Sequence, residues 1–234
     1  MKKIITTLLL IASALTFARA EQTNNFFTTN AAIWAGLDYS MVKMIGHEKS
    51  DSAYGFTDGQ KIFPAMPERW NRLFLGERID TIAKALGRDV EVDIGSVTER
   101  NKTASKSQII LTTHIHDVAA QPNVTVTDIA NAVREYKMEK TSGLGLVFVV
   151  DKLIEASYKP PIHSPNSGAV YVVLFDISTR KVLYANREVY EIHTGGSFQN
   201  FWFGPIKDAD ETLIKFQLTK KSLAPTIPIT PRSR

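Results

Sequence analysis

The chain has 234 residues, 44% of them hydrophobic and 22% charged, with a formal net charge of +4 and no cysteine. That length suits one large domain with a sizeable core. The lack of cysteine excludes disulfides, thiolate metal sites, cysteine nucleophiles and a lipoprotein anchor. Lys2, Lys3 and Arg19 carry three of the four net charges, so the chain beyond residue 20 stands at +1 and lacks the strongly basic balance of a nucleic-acid binder.

Lys2 and Lys3 lead into an apolar run over residues 4–17, and Ala18-Arg19-Ala20 supplies a small-x-small cleavage pattern. Residues 1–20 therefore read as a signal peptide, too short to remain as a membrane anchor, which needs about 20 apolar residues. Removing 20 of the 234 residues leaves 214, starting at Glu21, in the periplasm or outside the cell. Residues 21–30 are a polar lead-in. Partial alternation over 33–45 predicts one or two strands ending at Gly46, and the Gly/Ser/Asp-rich run 47–61 predicts an exposed loop. A helix starts at Pro64 or Pro67 and runs to Leu86, with Trp70, Phe74, Ile82 and Leu86 on one face and Gly87 as its left-handed stop. Val90, Val92 and Ile94 alternate as a half-buried strand, followed by a basic turn over 102–106 and a strand over 109–116.

Thr125 or Thr127 caps a helix reaching Met138. Three strongly β-prone segments follow, at 144–153, 170–177 and 182–192, with a proline-rich insert between the first two. Only four residues separate the last pair, which predicts an antiparallel hairpin, and the run VYVVLF is apolar on both faces and belongs in the middle of a sheet. Spacing after Gly195-Gly196 predicts a helix over 205–218. Residues 221–234, rich in proline, read as an extended disordered tail. The fold expected is α/β of the α+β type: one domain over 21–220, with a mixed, largely antiparallel sheet and two or three helices packed mainly on one face.

Two constellations could carry function. His114 and His116, two apart on a strand, would share a face, and Asp117 would offer a third metal ligand. Val118 and Ala119 stand where a longer metallohydrolase signature needs further ligands, and the opposing apolar face also fits a solvated pair of histidines. The second is the aromatic run Phe198, Phe201, Trp202 and Phe203 between Gly195-Gly196 and Gly204-Pro205, which suits either a contact platform or a core plug. Neither a G-x-S-x-G elbow nor a dinucleotide fingerprint occurs, and no cofactor is called for.

Gly143-Leu-Gly-Leu-Val-Phe, the segment from Tyr171 to Asp176 with Thr179 and Val182-Leu183, Gly195-Gly196, and Asn200-Phe201-Trp202 with Ile206 together resemble a group of uncharacterised exported bacterial cell-envelope proteins. Similarity extends to residues 33–45 and to Trp70-Asn71. The glycine-rich turn departs from that pattern at His193-Thr194 and Ser197. The resemblance implies an exported α/β domain and assigns no activity. The sequence is read as an exported, non-catalytic envelope module that binds a protein or other envelope component, with no nucleic-acid partner and no membrane span. Gly195, Gly196, Asn200, Phe201 and Phe203 are its binding candidates, beside the loop 47–61. The alternatives are a metal-dependent hydrolase using His114, His116 and Asp117, and a structural subunit of a surface assembly.

Overall fold

The computed structural model describes residues 31–50, 53–57, 62–115, 121–155, 165–192, 196–210 and 213. The leader and tail expectations lie outside them. Residues 31–46 form one extended line broken in the middle into β1 (Ala31–Asp38) and β2 (Lys43–Gly46). Both lie on the same flank of β5 (Leu144–Ile154), β1 along its first half and β2 along its last three residues. β3 (Asp89–Val92) extends the sheet beside β1 and β4 (Ile109–Leu111) beside β2, all parallel. On the other flank of β5, β6 (Ser167–Asp176) and β7 (Lys181–Glu191) run antiparallel and complete a seven-stranded sheet.

The expectation of a largely antiparallel sheet with two or three helices on one face is overturned. Five strands are mutually parallel, and five α-helices have described bounds. The physical reason is the connections. A parallel return needs a crossover, and each carries a helix: α1 (Ala65–Glu77) and α2 (Ile79–Leu86) between β2 and β3, α3 (Gly95–Asn101) between β3 and β4, and α4 (Val126–Glu135) between β4 and β5. Only the four-residue turn between β6 and β7 forces an antiparallel pair, and extrapolating from that hairpin misleads. α5 (Phe198–Asp208) follows β7.

Helices cover both faces. Trp70, Phe74 and Ile82 of α1 and α2, with Trp202 and Ile206 of α5, pack on Trp34, Leu146, Phe148, Val170 and Val172. On the opposite face Val97 of α3 and Ile129 and Val133 of α4 pack on Ile33, Val147, Val149, Val173 and Phe175. β5 and β6 are therefore buried along their whole length, as the doubly apolar run predicts.

Element boundaries moved where local backbone or tertiary contacts overrode periodicity. The helix predicted to Leu86 breaks at Arg78, whose side chain pairs with buried Asp210, and Gly87 ends its second half in the left-handed region at φ 64°. α3, only seven residues and opened by glycine, was not foreseen. α5 starts seven residues before the predicted position because the Ser197 hydroxyl accepts from the Asn200 amide. Pro205 sits inside it, directly over Gly168: a Cβ there would lie 2.5 Å from the Pro205 Cβ.

The break between β1 and β2 leaves peptide groups deep in the molecule without ladder partners, a cost the fold must meet. Three side-chain amides do so. Asn71 accepts from Leu37 N (2.8 Å) and donates to Leu37 O (3.0 Å). Asn101 accepts from Tyr39 N (2.6 Å) and donates to the same Leu37 carbonyl (2.8 Å). Gln108 donates to Tyr39 O (3.2 Å) and Ser40 O (2.7 Å). One amide each from α1, α3 and the 3-10 turn before β4 thus holds the interrupted strand in place.

Candidate contact surface

Six carboxylates among the described residues are more than nine-tenths buried, and each is engaged in holding a loop or helix. Asp38, at the carboxyl end of β1, accepts from Ser40 N and the Tyr136 hydroxyl (both 2.8 Å) and from Arg100 Nε (3.3 Å). Asp151 occupies the bulge of β5 and accepts from Asn123 N (2.9 Å), Val124 N (2.7 Å) and Arg187 Nε (2.8 Å). These two carboxylates pin both ends of α4. Asp93 accepts from Glu139 N and Lys140 N, Asp176 from Ser178 N and Thr179 N in the hairpin turn, and Asp210 from Arg78. Glu155 closes the turn after β2 by accepting from His47 N (3.2 Å) and the Ser50 hydroxyl.

Burial raises the Tyr136 pKa well above its ordinary value, and the adjacent Asp38 carboxylate adds to this. Burial opposes the Arg100 charge, but Asp38, Tyr136 and Glu135 outweigh it and hold the guanidinium above its usual range. Lys152 moves the other way. It is 3% exposed, and burial lowers its pKa although Asp151 partly compensates. Two surface concavities, of about 440 Å³ between α1 and α3 and about 500 Å³ beside Arg100 and Glu135, are backed by Asn71, Asn101 and Arg100, all engaged as above.

The residues nominated from sequence fall in three places. β4 ends at Leu111, so His114 lies beyond the strand, exposed, its amide bonded to the Thr112 hydroxyl (3.0 Å). His116, Asp117 and Gly195 lie outside the described residues. No group of three or more His, Asp or Glu positioned for a metal occurs among the described residues. Phe201 and Phe203 are 5% and 2% exposed and face the first core, while Gly196 and Asn200 are exposed. The two nominated segments meet each other. Tyr54, from the loop after β2, stacks on Phe201 (4.1 Å between centroids), its hydroxyl donates to Gly196 O (3.0 Å), and Trp202 Nε1 donates to Tyr54 O (2.8 Å). Tyr54, Phe56, Trp202 and Phe198 thus clasp the loop to α5.

The chain matches no protein-family model and no curated protein. Among solved structures it is similar to the lipoprotein GNA1162 from Neisseria meningitidis, with 10% identity over 85% of this chain and all of that one, at a TM-score of 0.28. A likeness of that size assigns neither a fold nor a function to this chain. No helix among the described residues is long and apolar enough to cross a membrane.

What the sequence reading missed is the outer edge of β7. This 11-residue strand pairs with β6 alone among the described strands. α4 packs beside it on one face and α5 on the other, with Val182 and Ala185 turned to the second core and Tyr184 and Tyr190 to the first. Arg187 is anchored on Asp151, whereas Lys181, Val189 and Glu191 are exposed, Val189 at 54%. Such an edge is a long template of backbone donors and acceptors.

Proposed function

We propose that this chain is an exported, non-catalytic module of the bacterial cell envelope that binds another envelope component. On this reading residues 1–20 are removed and the remainder acts in the periplasm or outside the cell. The observation that carries it is the division of labour among polar groups. The buried carboxylates fix loops and helices, whereas β7 lies outermost among the described strands and presents Val189 exposed. Gly196 and Asn200, which follow β7 in the chain, are exposed, and Gly196 accepts from the Tyr54 hydroxyl of the aromatic clasp.

The test joins cell fractionation to crosslinking. The purified protein should begin at Glu21, and a photoreactive residue at Val189 should capture an envelope protein in intact cells where one at Glu68 on α1 does not. A chain retained in the cytoplasm with its first 20 residues intact would refute export. Stoichiometric zinc, lost in His114→Ala, would replace the binding module by the hydrolase.

A further inference from the structure

We infer that the cavity between α3 and the carboxyl end of α4 is a carboxylate-binding site, in which Arg100 and Lys137 receive a carboxylate presented by a protein partner and Glu135 holds its place in the free chain. This rests on the reading of the chain as a binding module and adds a site of defined chemistry. The cavity, of about 500 Å³, is lined by Ser96, Glu99, Arg100, Glu135 and Lys137 among others, and falls within the size range of small-ligand sites.

Arg100 is fixed from behind and open in front. Its Nε donates to Asp38 (3.3 Å) and its Nη2 to the Ser40 hydroxyl (3.1 Å), and the guanidinium carbon stands 5.8 Å from the centroid of the Tyr136 ring. Asp38 is itself held by Ser40 N and the Tyr136 hydroxyl. The fork is thereby pre-organised, and little side-chain freedom remains to be lost on binding. Nη1 donates to Glu135 Oε2. Since each terminal nitrogen of a guanidinium carries two N–H groups, Nη1 and Nη2 each keep one that is unmet among the described residues.

Glu135 is the replaceable partner. Its side chain is 68% exposed, and an ion pair so open to solvent holds weakly. It accepts from Nη1 alone, whereas a carboxylate across the end of the fork accepts from both terminal nitrogens and gains a bond that Glu135 does not make. Charge sets the valence of the ligand. Glu99 is paired with Lys102, and Arg100 is balanced by buried Asp38. Lys137 is exposed and makes no ion pair among the described residues, so with Glu135 turned to solvent the site has a single positive charge to neutralise. A carboxylate supplies one negative charge; a phosphate, at about −1.5 to −2, would bring a surplus beside Asp38 and Glu99. The Ser96 hydroxyl accepts from Lys137 N (2.7 Å), which fixes the rim and leaves its own proton to donate.

On a protein partner that group is a chain terminus or an acidic side chain, and two small probes separate them: acetyl-alanyl-alanine with a free terminal carboxylate, and acetyl-glutamate amide. Titrated into the full chain purified from cells and followed by NMR, either should shift the Ser96, Arg100 and Lys137 amides with Kd of about 1–10 mM, the tighter probe giving the source of the group. Glu135→Gln removes the competitor and should tighten binding about fivefold, a gain that a merely structural Glu135 would not produce. Lys137→Ala should weaken it about fivefold with unchanged circular dichroism, and Arg100→Lys, which keeps the charge and loses the fork, should weaken it further.

No shift at these amides by about 50 mM of either probe, or binding indifferent to both Glu135→Gln and Lys137→Ala, overturns the inference. Inorganic phosphate or the neutral acetyl-glutamine amide binding as tightly as the carboxylates overturns the ligand assignment. Either failure leaves the binding-module reading standing on export and on capture through Val189. Cytoplasmic retention of a chain that binds the carboxylate probes as expected does the reverse.

Discussion

Replacing Asn71 by alanine tests whether side-chain amides hold the interrupted strand. Asn71 is 3% exposed, and its loss orphans the buried Leu37 N–H, whereas the Leu37 carbonyl keeps its bond from Asn101 at 2.8 Å. One buried unsatisfied donor costs about 1–3 kcal/mol, and the small cavity left behind adds about 1 kcal/mol. The variant should lose about 2–4 kcal/mol in urea unfolding, seen as a lower midpoint at unchanged m-value. For a chain of this size that corresponds to a fall of very roughly 4–16 °C in Tm. The double variant Asn71→Ala/Asn101→Ala is the sharper measurement. It strips the Leu37 carbonyl of both donated bonds, so its loss should exceed the sum of the single losses by about 1 kcal/mol or more. A loss under about 0.5 kcal/mol for Asn71→Ala, or strict additivity in the cycle, would refute the clamp.

Other consequences are open to equally direct measurement. Gly168→Ala drives a methyl into Pro205 and should destabilise by about 1–3 kcal/mol in the same unfolding assay. A Cβ at Gly145 would lie 2.3 Å from Phe175 Cζ, so Gly145→Ala should be similarly damaging, and Phe175→Leu in its background should recover part of the loss instead of adding to it. The Tyr39 hydroxyl is fully buried and has no hydrogen-bond partner among the described residues, so Tyr39→Phe should leave stability equal or raise it by about 1 kcal/mol at neutral pH. Burial also holds the Tyr39 pKa well above 10.0, and that fixes a sign. Its contribution is complete below the unfolded value near 10 and is lost as pH rises from there through the folded value. Chemical denaturation at alkaline pH should accordingly find stability falling less steeply in Tyr39→Phe than in the unmodified protein; an equal slope would assign the loss to other groups.

Local signals in the sequence carried far. The β6–β7 hairpin follows from four turn residues between two β-prone runs, the stop at Gly87 from a glycine able to take φ 64°, and the central place of β6 from a run with no polar face. The double strand within 33–45 showed itself by partial alternation. Each of these depends on residues within a few positions of one another, where period, turn chemistry and capping act.

Parallel pairing, the two-sided helix cover and the outermost place of β7 among the described strands depend on residues tens of positions apart. β3 and β4, of four and three residues, are too short to advertise a partner. Asn71, Asn101 and Gln108 read as ordinary polar residues until the fold brings them to one break in a buried strand. The aromatic run illustrates the same division. Its composition marked 198–203 as unusual, but only packing of Phe201 against Tyr54 and of Phe203 against Phe74 decided that both lie inside. The leader-like pattern over residues 1–20, the absence of cysteine and the near-neutral charge beyond residue 20 belong to the sequence alone. The outermost place of β7 among the described strands belongs to the tertiary structure, because strand order is set by pairings between residues far apart in the chain.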